Sequence, residues 1–126
     1  QTFNILEINT KGEKRINFKL KNKFFYFKKE NGKELIILDI NSKKTKSIKD
    51  KNIKNQITKY QIDLDVEVSY RKVNDGKENS FNVKQNGTYD VSSQHSQTLN
   101  NEKKLIDLLT NDISEKIIDQ LVVKIQ

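Results

Sequence analysis

From Thr58 to Tyr70 the chain alternates without interruption, with Thr58, Tyr60, Ile62, Leu64, Val66, Val68 and Tyr70 set between Lys59, Gln61, Asp63, Asp65, Glu67 and Ser69. Successive strand side chains point to opposite faces, so this spacing predicts a long β-strand with one apolar and one charged face. A helix, with a period of about 3.6, would scatter the same apolar residues around its whole circumference. The apolar face needs a cover, and the rest of the pattern supplies it. Phe3, Ile5 and Ile8 mark a first short strand over 2–10. Ile16, Leu20, Phe24 and Phe27 then recur at helical steps, which predicts a first helix from Glu13 to about Lys29, closed by the Asn31-Gly32 turn. Phe18 and Phe25 lie on the other side of that helix.

Glu34 to Ser42 is a compact run of Leu, Ile and Asp that suits a second strand. The following stretch to Asn55 has only Ile48 and Ile53 as apolar anchors, and it reads as a long loop or as two strand ends meeting at a mobile turn. Asn74-Asp75-Gly76 is a hairpin signal, and a fourth strand is expected from Lys77 to about Tyr89 with Phe81 and Val83 inward and a bulge at Asn86-Gly87. From Thr98 the period is helical again, with Ile106, Leu109, Ile113, Ile117 and Leu121 in one stripe and Ser96 or Thr98 as the expected cap. Ile118, Val122 and Ile125 form a second stripe on the C-terminal half. The order β-α-β-β-β-α, with two amphipathic helices and a central strand apolar on one face, predicts one α+β domain over residues 1–126. Its four-stranded, mostly antiparallel or mixed sheet should carry both helices on one face.

The composition adds less than its extremes suggest. Lys, Asn and Ile make up about two-fifths of the chain while Ala, Pro, Cys, Met and Trp are absent, the imprint of an AT-rich genome. The net charge of +7 therefore argues for an anionic partner only where lysines cluster, and they do so at Lys43, Lys44, Lys46, Lys49, Lys51 and Lys54. Mean hydropathy is −0.83, yet the apolar residues fall in periodic runs, as a folding chain requires. The chain starts Gln1-Thr2-Phe3 without Met, from which an upstream targeting or anchoring segment is expected. No run approaches the roughly 20 apolar residues that span a bilayer.

Chemistry is sparse. His95 is the sole histidine and has neither a cysteine nor a serine motif to complete a catalytic triad. Asp63, Asp65 and Glu67 could chelate a hard cation from one strand face, but a solvated face mixed with Lys59 and Arg71 accounts for them. Gly12, Gly32, Gly76 and Gly87 are isolated, so no phosphate-cradling loop is present. A sheet that stacks bases needs exposed aromatics among its cations, and the charged face of the central strand has acids instead. Neither a cofactor nor a metal is expected.

The alternating Thr58–Tyr70 strand, the Thr88-Tyr-Asp-Val-Ser-Ser93 strand exit, the Leu-Leu-x-x-Asp-Ile-x-x-x-Ile pattern from Leu108 to Ile117 within a Glu102–Leu121 helix, and the Ile16-x-x-x-Leu20 helix resemble the LptE family, the LPS-assembly lipoproteins of Gram-negative bacteria. The resemblance spans nearly the whole chain. It implies a non-enzymatic, periplasm-facing lipoprotein anchored in the outer membrane by a lipid upstream of this chain. Such a protein sits as a plug inside a large β-barrel partner that inserts lipopolysaccharide into the outer leaflet. A polar sheet face suits the polar interior of a barrel. On this reading Lys43, Lys44, Lys46, Lys49, Lys51 and Lys54 face the lipopolysaccharide. Phe18, Phe25, Ile118, Val122 and Ile125 either meet the partner or are covered by the two helices packing on each other. An accessory or adaptor lipoprotein of the same shape with no barrel partner is the other reading.

Overall fold

In a computed structural model, residues 3–25 and 34–125 are described. The elements follow the expected order: β1 (Phe3–Gly12), α1 (Lys14–Phe24), β2 (Glu34–Lys51), β3 (Ile57–Lys72), β4 (Glu78–Asp90) and α2 (His95–Ile125). The extension of the first helix to Lys29, its residue Phe27, and the Asn31-Gly32 turn lie outside the described residues. The sheet order is β1-β2-β3-β4, with β1 parallel to β2 and the other pairs antiparallel. The parallel pair follows from α1, which carries the chain back to start β2 beside the start of β1.

Both helices cover one face. α1 lies over β1 and β2, α2 lies over β4 and β3, and the two helices touch. The even residues Ile62, Leu64, Val66, Val68 and Tyr70 of β3 are buried, as are Ile36, Leu38 and Ile40 of β2, Ile16, Leu20 and Phe24 of α1, and Ile106, Leu109, Ile113, Ile117 and Leu121 of α2. Lys19 of α1 and Asp107 of α2 are paired at 2.6 Å across the helix contact. The odd positions of β3 look out from the bare face of the sheet. There Asn9 donates to Asp39 (2.9 Å) and Asn82 donates to Asp65 (2.8 Å), a polar lattice that links β1 with β2 and β3 with β4.

Four expectations need correction. The basic stretch after Ser42 is not a long loop: β2 runs on to Lys51 and pairs with β3 as far as Ile57, leaving a turn of a few residues in which Asn55 takes a positive φ of 64°. Pairing partners, rather than an apolar face, hold this half of the strand. The bulge expected at Asn86-Gly87 is absent, since Ile62 pairs with Gly87 and Asp63 with Asn86 in regular register. Gly87 serves a different need: a Cβ there would come within 2.7 Å of Leu105 Cδ1, so its missing side chain lets α2 close on the sheet. Helix α2 starts at His95, which places Ser96 and Thr98 inside its first turn rather than at the cap, and Thr98 Oγ1 instead accepts from the backbone N–H of Ser92 at 2.8 Å. Finally, the second stripe of α2 belongs to the core: Ile125 is buried, and Ile118 and Val122 are half-buried against the same cluster. A twisted sheet turns beneath a helix of 31 residues, so the covered stripe wanders around it.

Candidate functional site

The six lysines singled out in the sequence do not form one patch. Lys43 and Lys44 sit beside the start of α1, Lys46 is held by an aromatic pair, and Lys49, Lys51 and Lys54 lie toward the tip of the β2–β3 hairpin. Only the first group converges with other cations.

That convergence starts at Gly12, which ends β1 with a φ of 93°. A left-handed residue turns the chain out of the sheet, and only glycine fits, since a Cβ would lie 1.9 Å from the Ser42 carbonyl oxygen. The Glu13 N–H donates to that same carbonyl at 3.2 Å. Beneath the turn, buried Asn17 and buried Ser42 form a bracket: Ser42 Oγ donates to Asn17 Oδ1 at 2.7 Å, and Asn17 Nδ2 donates to the Lys11 carbonyl at 2.8 Å. These bonds fix the first turn of α1 against β2.

The helix start so fixed is poorly neutralised. Glu13 precedes it without a side-chain capping bond, and its first turn contains no acid. The first N–H groups of a helix lack intrahelical acceptors and carry the positive end of the dipole, where cations are unfavourable and anions favourable. Here Lys14 and Arg15 occupy the first two helical positions. Together with Lys43, Lys44, Gly12, Glu13 and Ser42 they line an open recess of about 540 Å³. Four cations, one acid and an uncapped helix end make a place suited to an anion of phosphate type. The sequence reading found Lys43 and Lys44 but missed Lys14, Arg15, Asn17 and Ser42. A helix opening on Lys-Arg with no Ser, Thr, Asp or Asn before it was the available signal.

A second cluster begins two residues further along β2, at Lys46. The Tyr60 and Tyr89 rings stack at 5.6 Å, and Lys46 Nζ lies 4.4 Å from the Tyr60 ring centroid. Glu102 of α2 accepts from the Tyr89 hydroxyl at 3.1 Å and pairs with Lys46 at 3.2 Å. The Tyr89 hydroxyl and Glu102 hold the Lys46 pKa above its ordinary 10.5, while burial raises that of Tyr89 above its ordinary 10.0. Lys46 is thus committed within the fold. His95 and Leu99 border this cluster, and the histidine is exposed.

Among the remaining candidates, Phe18 of α1 and Phe25 at its C-cap are exposed, at 66% and 47%, whereas Ile118, Val122 and Ile125 pack on the core. The Asp63 carboxylate accepts from Gln61 Nε2 at 3.1 Å, and Asp65 is taken up by Asn82. Among the described residues no group of acids or histidine is arranged to hold a metal, and no helix is long and apolar enough to cross a membrane.

No protein-family model matches the sequence, and neither does any curated protein. The fold, by contrast, is shared with solved structures. The chain is similar to rare lipoprotein B from Shewanella oneidensis over 94% of its own length and 95% of that chain, with a TM-score of 0.72 and 8% identity. It is similar to the uncharacterized lipoprotein B of Nitrosomonas europaea over 91% and 81%, with a TM-score of 0.63 and 10% identity. A minor lipoprotein of Acinetobacter baumannii matches over 94% and 93%, with a TM-score of 0.53 and 10% identity. Identities this low establish a shared fold and carry no information about ligands or partners.

Proposed function

We propose that this domain is a lipid-anchored, periplasm-facing lipoprotein of the outer membrane that assists a β-barrel partner in inserting lipopolysaccharide, and that the recess at the start of α1 receives a lipid phosphate. The carrying observation is the recess itself: Lys14, Arg15, Lys43 and Lys44 surround an uncapped helix end whose positive dipole favours an anion. The bare sheet face supports the barrel half of the reading. Asp39, Asn41, Asp65, Glu67 and Ser69 present a polar surface of the kind that meets the polar lumen of a barrel. The end-to-end likeness in fold to lipoproteins of Gram-negative bacteria supports the setting.

The test is titration of the domain with purified lipopolysaccharide, and with the same material stripped of its lipid A phosphates. Wild type should bind the phosphorylated form, more weakly as salt rises. Replacing Arg15 and Lys44 by Glu should lower that affinity at least about tenfold, which corresponds to about 1.4 kcal/mol. Equal binding of both lipids, or an unchanged affinity in the double variant, would remove the recess from the reading.

A further inference from the structure

Where β1 leaves the sheet, β2 does not. The β1–β2 pairing ends at Gly12 with Ser42, while β2 goes on to Lys51. Over residues 43–51, then, β2 is paired only with β3 among the described residues. Two hydrogen bonds fix which backbone groups are left over. The Leu35 carbonyl accepts from Val73 N–H, so odd residues of β2 direct their backbone toward β3; the Ser42 carbonyl accepts from Glu13 N–H on the opposite side, so even residues direct theirs away. The register is unbroken from Ile36 to Ile48. Lys44, Lys46 and Ile48 therefore hold their N–H and C=O groups toward an open lane, the continuation of the path that β1 vacates.

We infer that the 43–51 edge of β2 is a strand-addition site for an extended acidic segment of a partner protein. The edge is long: nine residues at about 3.3 Å each span roughly 30 Å. Its pairing with β3 is regular until the register shift after Ile48. An incoming strand gains main-chain bonds at alternate residues and reads side chains through its neighbours. Those neighbours are five lysines and one aspartate, Asp50, with exposed Ile48 on the helix side. Charge thus selects an acidic strand with apolar residues interspersed. The same lysines repel a second copy of this edge, as lysines on open strands do, and the chain as a whole is at +7. The tyrosine pair and Glu102 hold Lys46 against the body of the domain, which leaves its backbone clear for pairing.

The inference rests on backbone groups and not on the lipid reading, although the edge shares Lys43 and Lys44 with the recess, and Ile48→Pro separates the two. Proline there removes an edge-facing N–H and puts its ring in the lane, while the charge and the pairing with β3 are untouched. The measurement is amide exchange by NMR on the 126-residue chain. In the free protein the amides of Lys43, Thr45 and Ser47 should be protected and those of Lys44, Lys46 and Ile48 should exchange freely. Saturation with the peptide Thr-Glu-Val-Glu-Val-Glu-Val-Thr should slow those of Lys44, Lys46 and Ile48 by at least about tenfold, whereas its lysine counterpart should not. Ile48→Pro should keep its spectrum, its melting temperature and its lipopolysaccharide binding, and should lose peptide binding by at least about tenfold. The inference is overturned if the acidic peptide leaves those amides unprotected, or if Ile48→Pro binds it as wild type does. Protection that rises with protein concentration alone would assign the lane to a second copy, and protection by lipopolysaccharide alone would assign it to lipid; either would also overturn it.

Discussion

Replacing Gly12 by Ala should be among the most damaging small changes available to this domain, and Gly76 supplies its control. Both glycines have positive φ, 93° and 68°. For an L-residue such a conformation costs roughly 1–2 kcal/mol, partly offset by about 0.4–1 kcal/mol from restricting the unfolded chain. At Gly76 nothing lies within 4 Å of an added Cβ, so conformation is the whole effect and the net loss should be about 1 kcal/mol. At Gly12 the Cβ would lie 1.9 Å from the Ser42 carbonyl oxygen, with backbone on both sides of the clash. Relief requires β1 and β2 to part, and the Glu13–Ser42 and Asn17–Ser42 hydrogen bonds go with them. Two such bonds at about 0.5–1.5 kcal/mol each, added to the strain, bring the loss to roughly 2–4 kcal/mol. Urea unfolding of both variants, fitted by linear extrapolation, gives the two numbers directly. A loss at Gly12 no larger than that at Gly76 would refute the packing described at the β1–α1 turn.

Further changes test other parts of the structure. Leu64 is 1% exposed at the middle of β3, so Leu64→Ala should cost roughly 2–5 kcal/mol in chemical denaturation. Phe18→Asp should shift stability by no more than about 0.5 kcal/mol, as exposed sites do, whereas Ile125→Asp should unfold the end of α2 in circular dichroism. The Lys46 and Tyr89 pKa values are both raised in the folded state, so the folded state binds more protons than the unfolded one at alkaline pH. Their contribution should be complete below about pH 10 and decline as pH rises through the raised values; melting curves should show that decline in wild type and less of it in Tyr89→Phe.

The covered layer of this fold was legible because each element that borders the core has one face to bury. The alternation in β3 and the stripes Ile16-Leu20-Phe24 and Ile106 to Leu121 each identified an element and its inward side. The distal half of β2 was not legible for the converse reason. Ser42 to Lys51 has no helix over most of it and hence no apolar rhythm, and its conformation comes from pairing with β3, which no local pattern encodes. Gly87 was read as a bulge because glycine in a strand permits several readings, and only the position of Leu105 selects between them. The recess was half legible: Lys43 and Lys44 stood in a visible cluster, but Lys14 and Arg15 join them only through the Gly12 turn and the Asn17–Ser42 contact, 25 residues apart in sequence.

Whether this domain works in company with an outer-membrane barrel is decided most directly by cross-linking in the membrane. A photoreactive residue at Ser69, on the bare sheet face, is placed in the full-length, lipidated protein, and the outer membranes are irradiated and solubilised. One dominant adduct with a large β-barrel protein is expected, formed from Ser69 and not from a control site at Leu108, which is exposed on α2. An anchored, folded protein that gives no barrel adduct from Ser69 would contradict it and favour an accessory lipoprotein without a barrel partner.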